Sequence, residues 1–96
     1  MDCNDYKTYE EMPAAEKAIL IDWIEEHLTP FRAMRFDMTY SSYNYKHFFE
    51  KSENGFYVTN GQFKGAMLSL GFIPHCNSAM NWHFKIKRKA VTLLSK

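Results

Sequence analysis

The stretch TNGQFKGAMLSLGF, Thr59 to Phe72, decides how this chain is read. Thr59 and Gln62 have the spacing of a capping box, in which each side chain satisfies a backbone N–H at a helix start. Phe63, Ala66, Met67 and Leu70 follow at i, i+3, i+4 and i+7, which predicts one buried helical face. Gly71 sits where a left-handed C′ residue ends a helix, and Phe72 is placed to fold back on the last turn. Gly61 and Gly65 stand inside this helix, although each costs roughly 1 kcal/mol against alanine. On a helical wheel both point away from the apolar face, so the sequence asks what must come close to a surface stripped of side chains.

Two more helices precede it. Pro13 to Leu28 opens with proline at the first helical position and with Glu10, Glu11 and Glu16 near the positive end of the dipole. Its stripe Leu20, Trp23, Ile24 and Leu28 is the core face, and Asp22, Glu25 and Glu26 are expected in water. In SSYNYKHFFEKSENG, Ser41 or Ser42 can cap a short helix with Tyr45, Phe48 and Phe49 inward, and Asn54-Gly55 stops it. Between them Thr29-Pro30 ends the first helix, and RAMRFDMTY alternates as a strand with Met34, Phe36 and Met38 on its buried side. Phe56 to Val58 reads as a brief extended connector. After Pro74, HCNSAMN reads as a loop. WHFKIKRK then alternates, with Trp82, Phe84 and Ile86 inward and His83, Lys85 and Lys87 outward. Phe72 and Ile73 are expected as its hairpin partner, and AVTLLSK packs with its secondary structure left open.

The 96 residues predict a single domain, 1–96, with an acidic N-terminal tail over residues 1–12. Eight Phe, six Tyr and two Trp supply enough large apolar surface for a core without a metal or disulfide staple. Cys3 and Cys76 form no disulfide framework and suit a reducing compartment. The acidic start lacks the apolar run of a signal peptide, and no stretch is apolar enough to span a membrane, so the expected location is cytoplasmic. The formal net charge of +1 hides a segregation. Residues 1–30 carry two bases against eight acids, net −6, and residues 31–96 carry ten bases against three acids, net +7. One side of the fold is therefore expected to meet a polyanion.

The order of helix, strand, helix, connector, capped helix and basic hairpin resembles the winged helix-turn-helix family over about residues 13 to 89. The portion SSYNYKHFFEKSENGFYVTNGQFKGAMLSLGFIPHCNSAMNW also resembles segments of small proteins from bacteriophages and mobile elements. The resemblance implies an α+β fold of three helices with a small antiparallel β-sheet and a C-terminal hairpin wing. It implies a DNA-binding accessory or transcription-regulating protein whose third helix, residues 60–70, enters the major groove of double-stranded DNA. Asn60 and Gln62 would then read bases, Gly61 and Gly65 would let the backbone approach, and Lys64 and Ser69 would touch backbone or base edges. Lys85, Lys87, Arg88 and Lys89, on and just after the wing strand, would neutralise phosphates. Lys64 is the one base on the third helix, where many such readers carry two or more.

The alternative is a protein-binding module, a small inhibitor or adaptor, using exposed Leu68 beside the glycines and the acidic cluster Asp22, Glu25 and Glu26. A purely structural reading also stands, in which the glycines permit a close crossing with the second helix, Asn60 is a cap and Lys64 is solvated. His75, Cys76 and His83 lack a second ligand pair at zinc spacing, and no orienting acid accompanies them, so neither a metal, a cofactor nor an enzymatic activity is expected. No phosphate-cradling glycine loop is present.

Overall fold

The computed structural model describes residues 2–96. Four α-helices carry the fold: α1 (Ala14–His27), α2 (Ser42–Glu50), α3 (Asn60–Ser69) and α4 (Lys89–Leu94), with 3-10 helices at Tyr6–Glu11 and Thr29–Phe31. Leu20, Trp23, Ile24 and Leu28 of the first helical stripe are all buried. They meet Tyr45 and Phe49 of α2, Phe63, Ala66 and Met67 of α3, and Trp82, Phe84 and Ile86 from the last third of the chain. Ala90 and Val91 place the tail helix in the same core.

The local signals around α3 act as their chemistry requires. Gln62 N–H donates to Thr59 Oγ1 at 3.1 Å and Thr59 N–H donates to Gln62 Oε1 at 2.9 Å, closing the capping box. At the other end Gly71 has φ +86, its N–H donates to Leu68 O, and Phe72 N–H donates to Met67 O. That paired arrangement is a Schellman stop, and only glycine holds such a φ without strain.

The expected winged-helix fold is not formed: 51% of the chain is helical, 2% is strand, and the described residues contain no sheet. Three local facts explain the correction. Phe72 N–H is already used by the helix stop and Pro74 has no N–H, so among the described residues the expected hairpin arms share one backbone bond, His75 N–H to His83 O at 2.9 Å, and no ladder. The partner of the latter segment is instead residues 31–37: Lys87 N–H donates to Phe31 O at 2.7 Å and Ala33 N–H donates to Lys85 O at 2.9 Å. The next bond joins Asp37 N–H to Phe84 O, so four residues on one side answer one on the other. Residues 34–36 bulge out, and the antiparallel pairing stops at the single bridge between Arg32 and Ile86. The alternation read in RAMRFDMTY is broken by this bulge: Arg35 is exposed and Phe36 half-buried as expected, but Met34 is 90% exposed and Asp37 is buried.

The acidic segment expected as a tail is also structured. Asp5 caps its 3-10 helix through Lys7 N–H, and Tyr9 and Met12 anchor it in the core. It lies across α3 as a strap, and this is the most extensive packing between any two elements.

Candidate nucleic-acid interface

The strap answers the question posed by the glycines. A Cβ on Gly61 would lie 2.7 Å from Asp5 C and 2.8 Å from Asp5 N, and one on Gly65 would run into Tyr6 O and Tyr9 Cβ. Both glycines are buried, and the close neighbour is neither DNA nor the second helix but the chain's own N-terminal segment. Gly61 N–H, an orphan donor of the helix start, donates to Cys3 O at 2.9 Å.

Lys64 and Asn60 are consumed by the same contact. Lys64 is 3% exposed and its ammonium donates to Asn4 O at 2.8 Å, Met80 O at 2.9 Å and Ala79 O at 3.4 Å, above the Trp82 ring. Burial pushes its pKa below the ordinary lysine value, although Asp2 and Asp5 pull the other way. Asn60 accepts from Ser42 Oγ at 2.7 Å and donates to Asn4 Oδ1, Met80 O and Asn81 Oδ1. Its carboxamide therefore ties the strap, α2 and the 80–82 turn together and has nothing left for a base edge. Of the residues expected to read DNA from the third helix, Gln62 is half-buried in the capping box and Ser69 is exposed with its hydroxyl donating to Ala66 O.

Lys85, Lys87, Arg88 and Lys89 are all exposed, while Trp82, Phe84 and Ile86 between them are buried. Pairing with residues 31–37 adds two cations that the sequence reading left out, Arg32 and Arg35, both exposed. Arg32 lies flat on the Phe72 ring, 3.7 Å from its centroid, and donates to Leu70 O at 2.6 Å. Lys85 Nζ lies 5.1 Å from the Phe36 centroid. Arg88 donates to Thr39 Oγ1 at 2.6 Å and approaches Asp37 Oδ2 at 3.5 Å. Asp37 is the one carboxylate in these two segments, so they form a cationic ribbon against a single buried counter-charge. The signal for Arg32 and Arg35 was the +7 balance itself; their place beside Lys85 and Lys87 came only with the chain pairing.

The remaining candidates lie elsewhere. Leu68 is half-buried in a groove of about 610 Å³ with Tyr6, Ile73, Pro74 and Trp82. Asp22, Glu25 and Glu26 are exposed on α1, where Glu25 accepts from Thr29 Oγ1 at 3.3 Å and Glu26 approaches His27 at 2.9 Å. His83 Nδ1 faces the carbonyls of Tyr40 and Asp37, which fixes its proton on that nitrogen. His75 stacks edge-on against Phe36, and the exposed Cys76 thiol is lowered by the Ser78 hydroxyl and by the Ser78 and Ala79 amides.

A second stripe on α2 was missed. Tyr43, Lys46, His47 and Glu50 recur at i, i+3, i+4 and i+7, opposite the aromatic core stripe. Glu50 accepts from Lys46 Nζ and from Val58 N–H, each at 3.1 Å, and its other oxygen lies 3.1 Å from His47 Nδ1. Burial would raise its pKa; the Val58 amide, Lys46 and His47 together outweigh that and hold it below the usual carboxylate value.

No helix among the described residues is long and apolar enough to cross a membrane. No family model matches the chain, and no curated protein or solved structure is found similar to it.

Proposed function

We propose that the chain binds nucleic acid through the phosphate backbone, with the cationic ribbon of residues 31–37 and 84–89 as the contact surface and no helix laid in the major groove. The observation that carries the reading is the convergence of Arg32, Arg35, Lys85, Lys87, Arg88 and Lys89 on two paired segments whose one carboxylate is buried. The acids of α1 and the strap lie in other elements, so like charge is gathered where it can act on one polyanion. Backbone contact of this kind supplies affinity and register without base discrimination, which suits an accessory factor better than a sequence-specific regulator.

Fluorescence anisotropy with duplex DNA tests it. Neutralising about four phosphates predicts a fall in affinity on the order of a hundredfold between about 50 and about 200 mM salt. Lys87→Ala with Lys89→Ala weakens binding to all duplexes alike, whereas Asn60→Ala, whose side chain is internal, changes no sequence preference. Absence of binding at about 50 mM salt, or binding indifferent to Lys87 and Lys89, overturns the proposal.

A protein-binding role has one observation in its favour: Ile73, 73% exposed, extends the groove beside Leu68. Ile73→Glu leaves the core untouched and abolishes capture of a partner seated there. If capture survives, that groove is not the site.

A further inference from the structure

A second groove, also about 610 Å³, lies between α2, residues 57–59 with the start of α3, and the 80–81 turn. Its walls are Tyr43, 47% exposed, and Tyr57, 74% exposed, and neither belongs to the core. Lys46 Nζ stands over both rings, 5.4 Å from the Tyr43 centroid and 5.2 Å from that of Tyr57. Both tyrosines therefore turn faces, not edges, toward one point. Lys46 as a residue is 6% exposed, and Glu50 is the one hydrogen-bond acceptor of its ammonium among the described residues. An ammonium has three donors, so two of its N–H groups meet only aromatic faces and the groove.

A ligand matched to this arrangement is flat, to stack on a tyrosine face, and carries an in-plane acceptor oxygen, to take an N–H from Lys46. A phenyl group has the plane without the acceptor, and a carboxylate has the acceptor without the ring. A nucleobase carbonyl has both. We propose that this groove is a nucleobase site, in which an unpaired base stacks on Tyr57 and Tyr43 and its carbonyl accepts from Lys46. Stacking of this type is tolerant of sequence and requires a base released from a duplex or a free nucleotide. The site is made of residues separate from the cationic ribbon, so each can fail without the other.

The test compares two labelled strands of about twelve nucleotides, oligothymidine and an abasic strand with the same phosphates, by anisotropy on the full chain. The wild type is expected to bind oligothymidine roughly tenfold or more tightly than the abasic strand, as one stacked base implies. Tyr57→Ala, a change at an exposed side chain, removes that ratio and leaves abasic binding as it was; Tyr57→Phe keeps the ratio. Lys87→Ala with Lys89→Ala lowers binding of both strands and preserves the ratio, so failure of the ribbon reading shows as weak phosphate affinity with base preference intact. Thymidine monophosphate alone identifies the source: Tyr57-dependent binding of it supports a free nucleotide, and binding of oligothymidine only supports a strand. Equal affinity for the two strands without Tyr57-dependent nucleotide binding, or a ratio that survives Tyr57→Ala, overturns the proposal.

Discussion

Gly65→Ala gives opposite results for an open α3 face and a sealed one. On an open helix the change removes the entropic cost of glycine and stabilises by about 1 kcal/mol. Under the strap, the new methyl runs into Tyr6 O and Tyr9 Cβ and lies 3.0 Å from Tyr9 Cγ. A backbone carbonyl cannot rotate aside, so the strap must lift, and the burial of Tyr9 and Met12 is loosened with it. Overpacking of this kind costs about 1–3 kcal/mol, and partial exposure of one large anchor adds up to about 2. Against the propensity gain of about 1 kcal/mol, a net loss centred on about 2 kcal/mol remains. For a domain of this size a urea slope of about 1 kcal/mol/M turns that into a midpoint lowered by about 2 M. Trp82, whose ring lies 5.6 Å from Tyr6, makes tryptophan fluorescence a suitable probe. Gly61→Ala meets Asp5 of the same strap, so the double variant is expected to lose less than the sum of the two, because one displacement relieves both contacts. A midpoint unchanged or raised by Gly65→Ala would refute the seated strap.

Lys64→Met removes the donor shared by the Asn4, Ala79 and Met80 carbonyls, and a loss of about 2–3 kcal/mol is expected in urea unfolding with phosphate binding by the folded protein unchanged. Tyr45 buries a hydroxyl with no hydrogen-bond partner among the described residues, so Tyr45→Phe is expected to be neutral or to stabilise by up to about 1 kcal/mol. Burial first, then the charges of Asp37 and Tyr40, raise the Tyr45 pKa in the fold. The folded state therefore keeps a proton that the unfolded state releases near pH 10, so stability from this group is complete below about pH 10 and declines above it. Tyr45→Phe flattens that alkaline decline, and an unchanged slope counts against the burial. Glu50 behaves in the opposite sense: its lowered pKa gives stability present above the ordinary carboxylate range and lost as pH falls through the folded value. Glu50→Gln weakens the hold on Lys46 and removes this acid limb; thermal melts across acid pH that superpose on the wild type contradict it.

What was legible depended on whether the deciding contact was near in sequence. The α1 stripe Leu20, Trp23, Ile24 and Leu28, the Thr59–Gln62 box and the Gly71 stop are each set within one or two helical turns, and all stand in the fold as read. The glycines announced a close neighbour but not its identity, because Gly61 meets Asp5 across more than fifty residues of chain. The strap was hidden for a related reason: a short 3-10 helix has no amphipathic period long enough to read, and its anchors Tyr9 and Met12 sit among charges. RAMRFDMTY misled because alternation assumes an unbroken ladder. Once residues 34–36 bulge, the pleat that alternation describes no longer exists, and Asp37 turns inward where Met38 was expected.

The same distinction separates the features of α3 that look ligand-binding from the surfaces free to bind. A capped start, bare glycines, a carboxamide and a lysine are the parts with which a helix approaches a phosphate or a base. Here each is matched internally: the Gly61 amide by Cys3 O, Lys64 by three carbonyls, Asn60 by four partners, and the glycines by the strap backbone. Opening that face would break these bonds together and strand Lys64 without its carbonyls, so a ligand would have to replace the strap group for group. Lys87 and Lys89 ask for no such exchange, since they stand exposed on the ribbon, and Tyr57 presents a ring that the core does not use. Binding through the ribbon and the tyrosine groove, as proposed, would not require these α3 bonds to break, and the fold that holds both surfaces in place would be kept.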